Sequence, residues 1–239
     1  MARNTDRKSG RPLTGVTGVI LAGGRSSRMG SNKALLPYRG GRFVEAIHRL
    51  LGELFDEVLL VTNTPEQYAF LPCRKVADLY PGAGALAGLH AGLHHSLTPH
   101  VFAVACDMPY LNEELIGRLT GGRGPADVVI PQGDKGLEPL HAVYGKGCLV
   151  PMERALDGGR RRIVSFFPEV RVCEVSRDEV AELDPGFDSF KNINTPSDYF
   201  ELRDDERAAN LILPVAADQV VRGYSGSGSF RCEERRREV

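Results

Sequence analysis

The sequence lacks several features that would mark whole classes of protein. No apolar run approaches the roughly 18 residues of a membrane span, and the net charge of the 239 residues is only −1. A chain so nearly neutral has no overall attraction for nucleic acid or for an anionic membrane surface. We therefore expect a soluble protein that has neither a nucleic-acid partner nor a membrane partner.

Paired cysteines are also missing. The five cysteines are scattered along the chain, at Cys73, Cys106, Cys148, Cys173 and Cys232. An odd number without any C-x-x-C spacing argues against both a disulfide framework and a zinc knuckle. The N-terminal stretch is basic and polar, without the apolar core of a secretion signal. Together these absences predict a reducing compartment, the cytoplasm.

The chain has enough apolar sequence for a sizeable core, since hydrophobic residues make up 42% of it. Its length favours a single large α/β domain over two small ones, and we place this domain at residues 15–203. Residues 1–14 are predicted to be a flexible N-terminal arm. Residues 204–239, which end rich in glycine, serine and charge, are predicted to be a mobile C-terminal extension.

The clearest functional signal follows the first apolar run. Residues 16–21 are apolar and β-branched, which is typical of a buried parallel strand, and Gly23 and Gly24 come just after them. Adjacent glycines let the backbone turn sharply and approach a ligand. Their N–H groups, together with Arg28 and Lys33, can surround an anion. The stretch predicts a polyphosphate cradle, and an ordinary strand-to-helix connection with solvated arginines is the alternative.

Two common phosphate-binding motifs are excluded for this stretch. The next glycine after the pair is Gly30, so the dinucleotide pattern G-x-G-x-x-G is absent. The stretch is not a P-loop either, because Gly24 to Gly30 has one residue too many and no lysine follows Gly30 directly.

A second signal lies at the end of another apolar run, residues 101–106. Asp107 follows this run, and Pro109 comes two residues later. Ligands bind at the carboxyl ends of parallel strands in α/β sheets, and magnesium is held by one or two carboxylates together with substrate phosphates. We therefore predict that Asp107 binds Mg²⁺, with capping of the helix that begins near Asn112 as the alternative.

Other polar residues follow predicted strands or precede turns. Asn63 lies after strand 57–61, where it can touch a nucleotide or equally cap the next helix. Asp78 precedes a run of small residues that permits close backbone approach, and turn capping is its alternative. Asn192 and Asn194 alternate, so in an extended chain their amides point the same way, towards a polar ligand. A simple helix cap is the alternative for Asn194.

Glu138 and His141 bracket the start of a further strand and could face the pocket across the sheet. His141 has an unperturbed pKa near neutrality, which a general base requires. A positioning role is favoured for it over general-base catalysis.

The string LAGGRSSRMGSNKALL resembles the signature L-A-G-G-x-S-x-R-M-G-x-D-K-x-L of the molybdenum cofactor guanylyltransferases, a family of the nucleotidyltransferase superfamily. The other matching motifs, in the same order, are Asp78 with PGAGALAG, CDMPY around Asp107, EPLHAVY from Glu138 and FKNINTPSD from Phe190. The resemblance covers residues 16–200. Asn32 stands where an acid is usual before the lysine, and Ala85 stands where proline is usual.

This resemblance implies a three-layer α/β/α fold with a mostly parallel, Rossmann-like sheet, similar to that of nucleotide-diphospho-sugar transferases. It implies transfer of GMP from GTP to the terminal phosphate of molybdopterin-bound molybdenum cofactor, with Mg²⁺ as cofactor and pyrophosphate as the second product. The implied partners are GTP, molybdopterin and, transiently, a molybdoenzyme or cofactor-insertion protein. The alternatives are cytidylyl or other nucleotidyl transfer, and a non-catalytic nucleotide- or cofactor-binding partner of a molybdoenzyme; the pair Gly23-Gly24 favours guanine.

The family's functional residues fall on matching positions of this chain. The resemblance implies that Lys33, Arg28 and Asp107 are catalytic and that Asp107 is the metal ligand. The implied nucleotide-binding positions are Leu21, Ala22, Gly23, Gly24, Gly30, Lys33, Asn63, Asp78, Gly88 and Asp107. The positions assigned to the molybdopterin side are Glu138, His141, Asn192 and Asn194.

Overall fold

The computed structural model describes residues 13–23, 32–195, 197–202 and 233–234. The strands are β1 (Val16–Leu21), β2 (Pro37–Tyr38), β3 (Gly41–Arg42), β4 (Glu57–Val61), β5 (Arg74–Val76), β6 (His100–Ala105), β7 (Val128–Gly133), β8 (Gly136–Leu137), β9 (His141–Gly145), β10 (Val172–Val175) and β11 (Glu233–Glu234). The α-helices are α1 (Phe43–Leu54), α2 (Ala85–His95), α3 (Glu113–Gly121), α4 (Leu149–Asp157), α5 (Arg177–Ala181) and α6 (residues 197–202). Short 3-10 segments follow β1 and β4, at Lys33–Leu35 and Pro65–Tyr68.

The main sheet has the strand order β11-β10-β7-β9-β6-β1-β4-β5, and β8 pairs with β7. Strands β5, β4, β1, β6, β7 and β10 run in one direction. Strand β9, inserted between β6 and β7, and edge strand β11 run the opposite way. The prediction of a mostly parallel α/β sheet is confirmed.

Helices cover both faces of this sheet, which gives the three expected layers. Helix α1 buries Val44, Ile47 and Leu51 at helical spacing in the same apolar cluster as α3 and α5. Helices α2 and α4 bury their apolar residues in the cluster on the other face. Along β1 the side chains alternate between the two clusters, with Ile20 in the first and Val19 in the second, as the period of two in a strand requires.

Helix α2 lies very close to β1, and a glycine permits this approach. A Cβ atom added at Gly92 would lie 2.5 Å from Cγ1 of Val19, far inside van der Waals contact. The close packing fixes α2 against the sheet. Its first residue, Ala85, follows Gly84, whose φ of +76° is one that glycine adopts readily.

The boundaries of the domain stay predictions, but two contacts bear on its ends. The N–H of Leu13 donates to the carbonyl of Leu54 at 2.8 Å, and Glu233–Glu234 pairs with β10. Cys173 on β10 is disulfide-bonded, contrary to the expectation drawn from the odd number and scattered spacing of the cysteines, because residues far apart in sequence can meet in the fold. Among the helices of the described residues, none is long and apolar enough to cross a membrane.

Candidate active site

The carboxyl ends of the three neighbouring strands β4, β1 and β6 meet at one edge of the sheet. The chain continues there as Ala22 after β1 and Cys106 after β6, and both stay hydrogen-bonded to the sheet: Ala22 N–H donates to Val61 O at 2.9 Å and Cys106 N–H to Leu21 O at 3.1 Å. Gly23 is exposed, and no heavy atom of the described residues lies within 4 Å of the position of an added Cβ. A ligand at this edge can therefore reach backbone groups beyond β1.

On one side of this edge, Asn63 and Asp78 form a reciprocal pair. Asn63 Nδ2 donates to Asp78 Oδ2 at 3.0 Å, and Asp78 N–H donates to Asn63 Oδ1 at 3.0 Å. Burial raises the pKa of Asp78, and the hydrogen bond from Asn63 partly offsets the rise. A Cβ added at Gly88 would lie 3.6 Å from Asp78 Oδ1 and 3.5 Å from Leu21 Cδ2. The structure thus brings Leu21, Asn63, Asp78 and Gly88 together.

On the other side, the ammonium of Lys33 joins two distant segments. Its Nζ donates to Asn194 Oδ1 at 2.7 Å and lies 3.5 Å from Asp107 Oδ2. The side chains of Lys33 and Asp107 are 14% and 20% exposed, so the pair is largely enclosed yet open to a ligand. Burial raises the pKa of Asp107, and the nearby ammonium opposes that rise. A cation and an acid therefore meet directly beyond β6.

The segment that carries Asn194 is fixed at both ends. Ile193 N–H donates to the carbonyl of Asp107 at 2.9 Å. The carboxylate of Asp198 accepts from Asn194 N–H at 2.8 Å and from Thr195 N–H at 2.9 Å. Asp198 N–H in turn donates to Thr195 Oγ1 at 3.1 Å. This reciprocal cap fixes the backbone of Asn194. Neither Thr195 nor Asp198 is among the predicted site residues, although their spacing is a helix-start signal.

Asn192 does not share the partner of Asn194. Its Nδ2 donates back to the carbonyl of Phe190 at 3.4 Å, and its side chain is exposed. Asn194 contacts Lys33, whereas Asn192 has no contact in common with it among the described residues. The expectation that both amides bind one polar ligand stays a prediction.

Glu138 lies half-buried against the backbone of β7. A Cβ added at Gly133 would lie 2.6 Å from Glu138 Oε1 and 2.9 Å from Phe190 Cδ2. Burial raises the pKa of Glu138 to about 7, and Lys135 offsets part of the rise. The carboxyl group therefore changes charge close to neutral pH.

His141 lies in the core rather than in an open pocket. Its side chain is fully buried, edge-on to the rings of Phe102 and Phe190 at centroid distances of 5.0 and 5.2 Å. Burial lowers the pKa of the imidazole to about 3, and neither ring nitrogen has a hydrogen-bond partner among the described residues. The expectation that His141 faces the pocket is wrong, because period-two alternation turns its side chain to the face of β9 that packs under α1 and α3.

Three of the expected phosphate-binding residues, Gly24, Arg28 and Gly30, lie outside the described residues. Their roles stay predictions. Lys33, which begins the following 3-10 segment, is described and lies at the site.

The carboxylate of Asp107 suits a magnesium ion that is shared with a substrate. Within the described residues there is no group of three or more His, Cys, Asp or Glu side chains that could hold a metal ion. Magnesium is commonly held by one or two carboxylates, with substrate phosphates and waters completing its octahedron. The residues present fit such an ion and do not form an all-protein cage.

A mostly parallel α/β sheet with helices on both faces is the fold that this chain shares with nucleotidyltransferase structures. Residues 18–172 match the family described as the MobA-like NTP transferase domain. The chain belongs to this family.

Relatives with assigned activities support the same family assignment. The chain is similar to a probable molybdenum cofactor guanylyltransferase of Pelotomaculum thermopropionicum, with 39% identity over 78% of this chain and 91% of the relative. It is also 38% identical to the molybdenum cofactor guanylyltransferase of Desulfosudis oleivorans, over 77% of this chain and 92% of that one. Among crystal structures, the molybdopterin-guanine dinucleotide biosynthesis protein A of Archaeoglobus fulgidus is similar, with a TM-score of 0.69, 27% identity and coverage of 82% of this chain and 100% of that chain.

Proposed function

We propose that the protein transfers GMP from GTP to the terminal phosphate of molybdopterin-bound molybdenum cofactor, in a magnesium-dependent reaction. The products are the guanine dinucleotide cofactor and pyrophosphate. The meeting of Lys33 with Asp107 and Asn194 at the carboxyl edge of the sheet carries this proposal. Membership of the family and the names of its guanylyltransferase members supply the identity of the two substrates.

The reaction is a substitution at the α-phosphorus of GTP. An oxygen of the molybdopterin phosphate forms a new bond to this phosphorus, and the bond to the oxygen that bridges the α- and β-phosphorus breaks, so that pyrophosphate leaves with its electron pair. Both reactants are anions, and so positioning and electrostatic stabilisation supply most of the acceleration. No covalent enzyme intermediate is needed.

Lys33 is the described residue that most directly supplies positive charge to stabilise these anions. Its ammonium is held between Asp107 and Asn194 without being buried, and a small movement of the side chain turns it towards a phosphate. Magnesium bound at Asp107 would neutralise phosphate charge at the reacting centre. Arg28 and the N–H groups near Gly23, Gly24 and Gly30 are proposed to hold the leaving pyrophosphate.

The base and the pterin are proposed to lie on opposite sides of this centre. Asp78, whose carboxylate is held by Asn63, is proposed to accept hydrogen bonds from the N–H groups on the pairing edge of guanine. Glu138, Asn192 and Asn194 are proposed to line the pterin side. His141 supports this side from the core and has no direct part in the chemistry.

The decisive assay supplies purified protein with molybdopterin-bound molybdenum cofactor, Mg²⁺ and GTP, and measures both pyrophosphate and the dinucleotide product. Parallel reactions contain CTP or UTP, or omit the cofactor. We expect both products only with GTP, cofactor and magnesium together. Product formation with CTP instead would assign cytidylyl transfer, and GTP binding without pyrophosphate release would assign a non-catalytic partner of a molybdoenzyme.

A further inference from the structure

Lys33 must present its ammonium at a fixed place, and the residues on both sides of it in the chain are anchored. Ala34, the next residue, is fully buried in the core. Asn32, the preceding residue, caps the 3-10 segment through its side-chain oxygen, which accepts from Ala34 N–H at 3.2 Å. The lysine therefore projects from a short stretch of backbone that cannot shift freely.

Asn32 is held in turn by the segment that follows β4. Its Nδ2 donates to Tyr68 Oη at 2.8 Å and to Gln67 Oε1 at 2.9 Å. With the capping bond to Ala34, the amide uses its oxygen and both of its N–H groups. A side chain with every polar group occupied has one favoured orientation.

Tyr68 is suited to be the fixed end of this contact. It is 1% exposed and ends the 3-10 segment Pro65–Tyr68. Its ring lies 6.4 Å from that of Phe70, over which the guanidinium of Arg42 stacks at 3.8 Å. The same stretch of chain begins just after Asn63, which pairs with Asp78 on the base side. The segment Pro65–Tyr68 therefore follows Asn63, on the side of Asp78, and contacts Asn32, the neighbour of Lys33.

We propose that Tyr68 is a positioning residue for Lys33, acting through Asn32. The hydroxyl of Tyr68 orients the Asn32 amide, and the amide fixes the backbone from which Lys33 reaches Asp107 and Asn194. Asn32 stands where the family signature has an acid. An aspartate there would still cap Ala34 and accept from the tyrosine hydroxyl, but it would place a second negative charge beside the lysine.

This inference deepens the proposed guanylyl transfer and rests on it, so its test has both kinetic and structural readouts. The variants are Tyr68→Phe, Asn32→Ala, the double variant and Asn32→Asp. Thr120→Val is the control, because it removes a buried hydroxyl that donates only within its own helix, α3. The kinetic readout is kcat and KM for GTP; the structural readouts are hydrogen exchange of the amides at 33–36 and the thermal midpoint.

We expect Tyr68→Phe to lower kcat about tenfold, the effect of one lost hydrogen bond that positions Lys33. Asn32→Ala also loses the cap on Ala34 and the bond to Gln67, so it should lower kcat at least as much; KM for GTP should change little in either variant. The double variant should be no slower than the slower single variant, because both changes break the same contact. Asn32→Asp should keep most of the wild-type kcat, unlike Asn32→Ala. The control should lower the thermal midpoint by about 2–4 °C without a change in kcat.

Three results would each overturn the proposal. The first is a kcat loss in the double variant equal to the product of the two single losses; the second is a normal kcat in Tyr68→Phe. The third is a kcat loss in Asn32→Asp as large as that in Asn32→Ala. If the wild-type protein transfers no GMP, the proposed function fails and hydrogen exchange decides the positioning role alone. Faster exchange at 33–36 in Tyr68→Phe and not in the control supports the role, and equal exchange in all variants refutes it.

Discussion

Replacing Glu138 by glutamine should change how the stability of the protein depends on pH. Burial raises the pKa of Glu138 from 4.5 to about 7 in the folded protein, so the native state keeps a proton that the unfolded chain releases above about pH 4.5. Stability must then fall as the pH rises through this window, because the unfolded state binds fewer protons than the native state there. An amide carries no charge at any of these pH values, and the variant should lose this part of the dependence.

The expected magnitude is on the order of 1 kcal/mol, because the half-buried carboxyl group is partly screened by solvent and the full pKa shift does not become stability. Thermal unfolding of wild type and Glu138→Gln at steps from pH 4.5 to 8 measures it. The thermal midpoint of Glu138→Gln minus that of wild type should be about 2–4 °C larger at pH 8 than at pH 4.5. Glu53→Gln, a change at an exposed glutamate, controls for the loss of one carboxylate. A difference between Glu138→Gln and wild type that stays constant with pH would refute the reasoning.

Three further changes test other parts of the structure. Lys33→Ala should lower kcat for GMP transfer on the order of 10²–10³-fold, as is usual for one transition-state charge; pyrophosphate release measures it, and a near-normal rate would remove Lys33 from the site. Asp107→Asn keeps the shape but removes the charge, and it should abolish the magnesium-dependent rate; a magnesium titration that matches wild type would contradict the metal assignment. Gly92→Ala should destabilise the fold by about 1–3 kcal/mol through overpacking against Val19; an unchanged urea midpoint would show that α2 does not lie so close to β1.

The parts of the site that follow strand ends were predictable from the sequence. Apolar runs gave β1, β4 and β6 nearly to the residue, and in a parallel sheet their carboxyl ends share one edge. That rule alone brings Leu21, Asn63 and Asp107 together. The contact of Lys33 with Asn194 spans 161 positions, and no local pattern indicates a contact of that range.

His141 shows a different limit of sequence reasoning. A strand pattern tells which side chains share a face, but not which helices and loops pack against that face. His141 shares its face with Val143, and both lie on the side packed beneath α1 and α3. Only the topology, with β9 running antiparallel between β6 and β7, determines that choice.

Tyr68 and Asp198 could not be predicted from motifs, because their contacts are with the neighbours of functional residues. Each acts on the backbone next to a functional side chain: Tyr68 through Asn32, and Asp198 through the N–H of Asn194. The capping pattern at Thr195 was visible, but its consequence for Asn194 depends on how the segment folds back onto Asp107.

The central claim is that a divalent ion on Asp107 reaches the α-phosphate of the same GTP that Lys33 contacts. Phosphorus NMR relaxation of a bound, non-hydrolysable GTP analogue, with Mn²⁺ in place of Mg²⁺, measures this directly. We expect strong relaxation of the α-phosphorus in the wild-type protein and its loss in Asp107→Asn. Strong relaxation that leaves out the α-phosphorus, or that survives in Asp107→Asn, would contradict it.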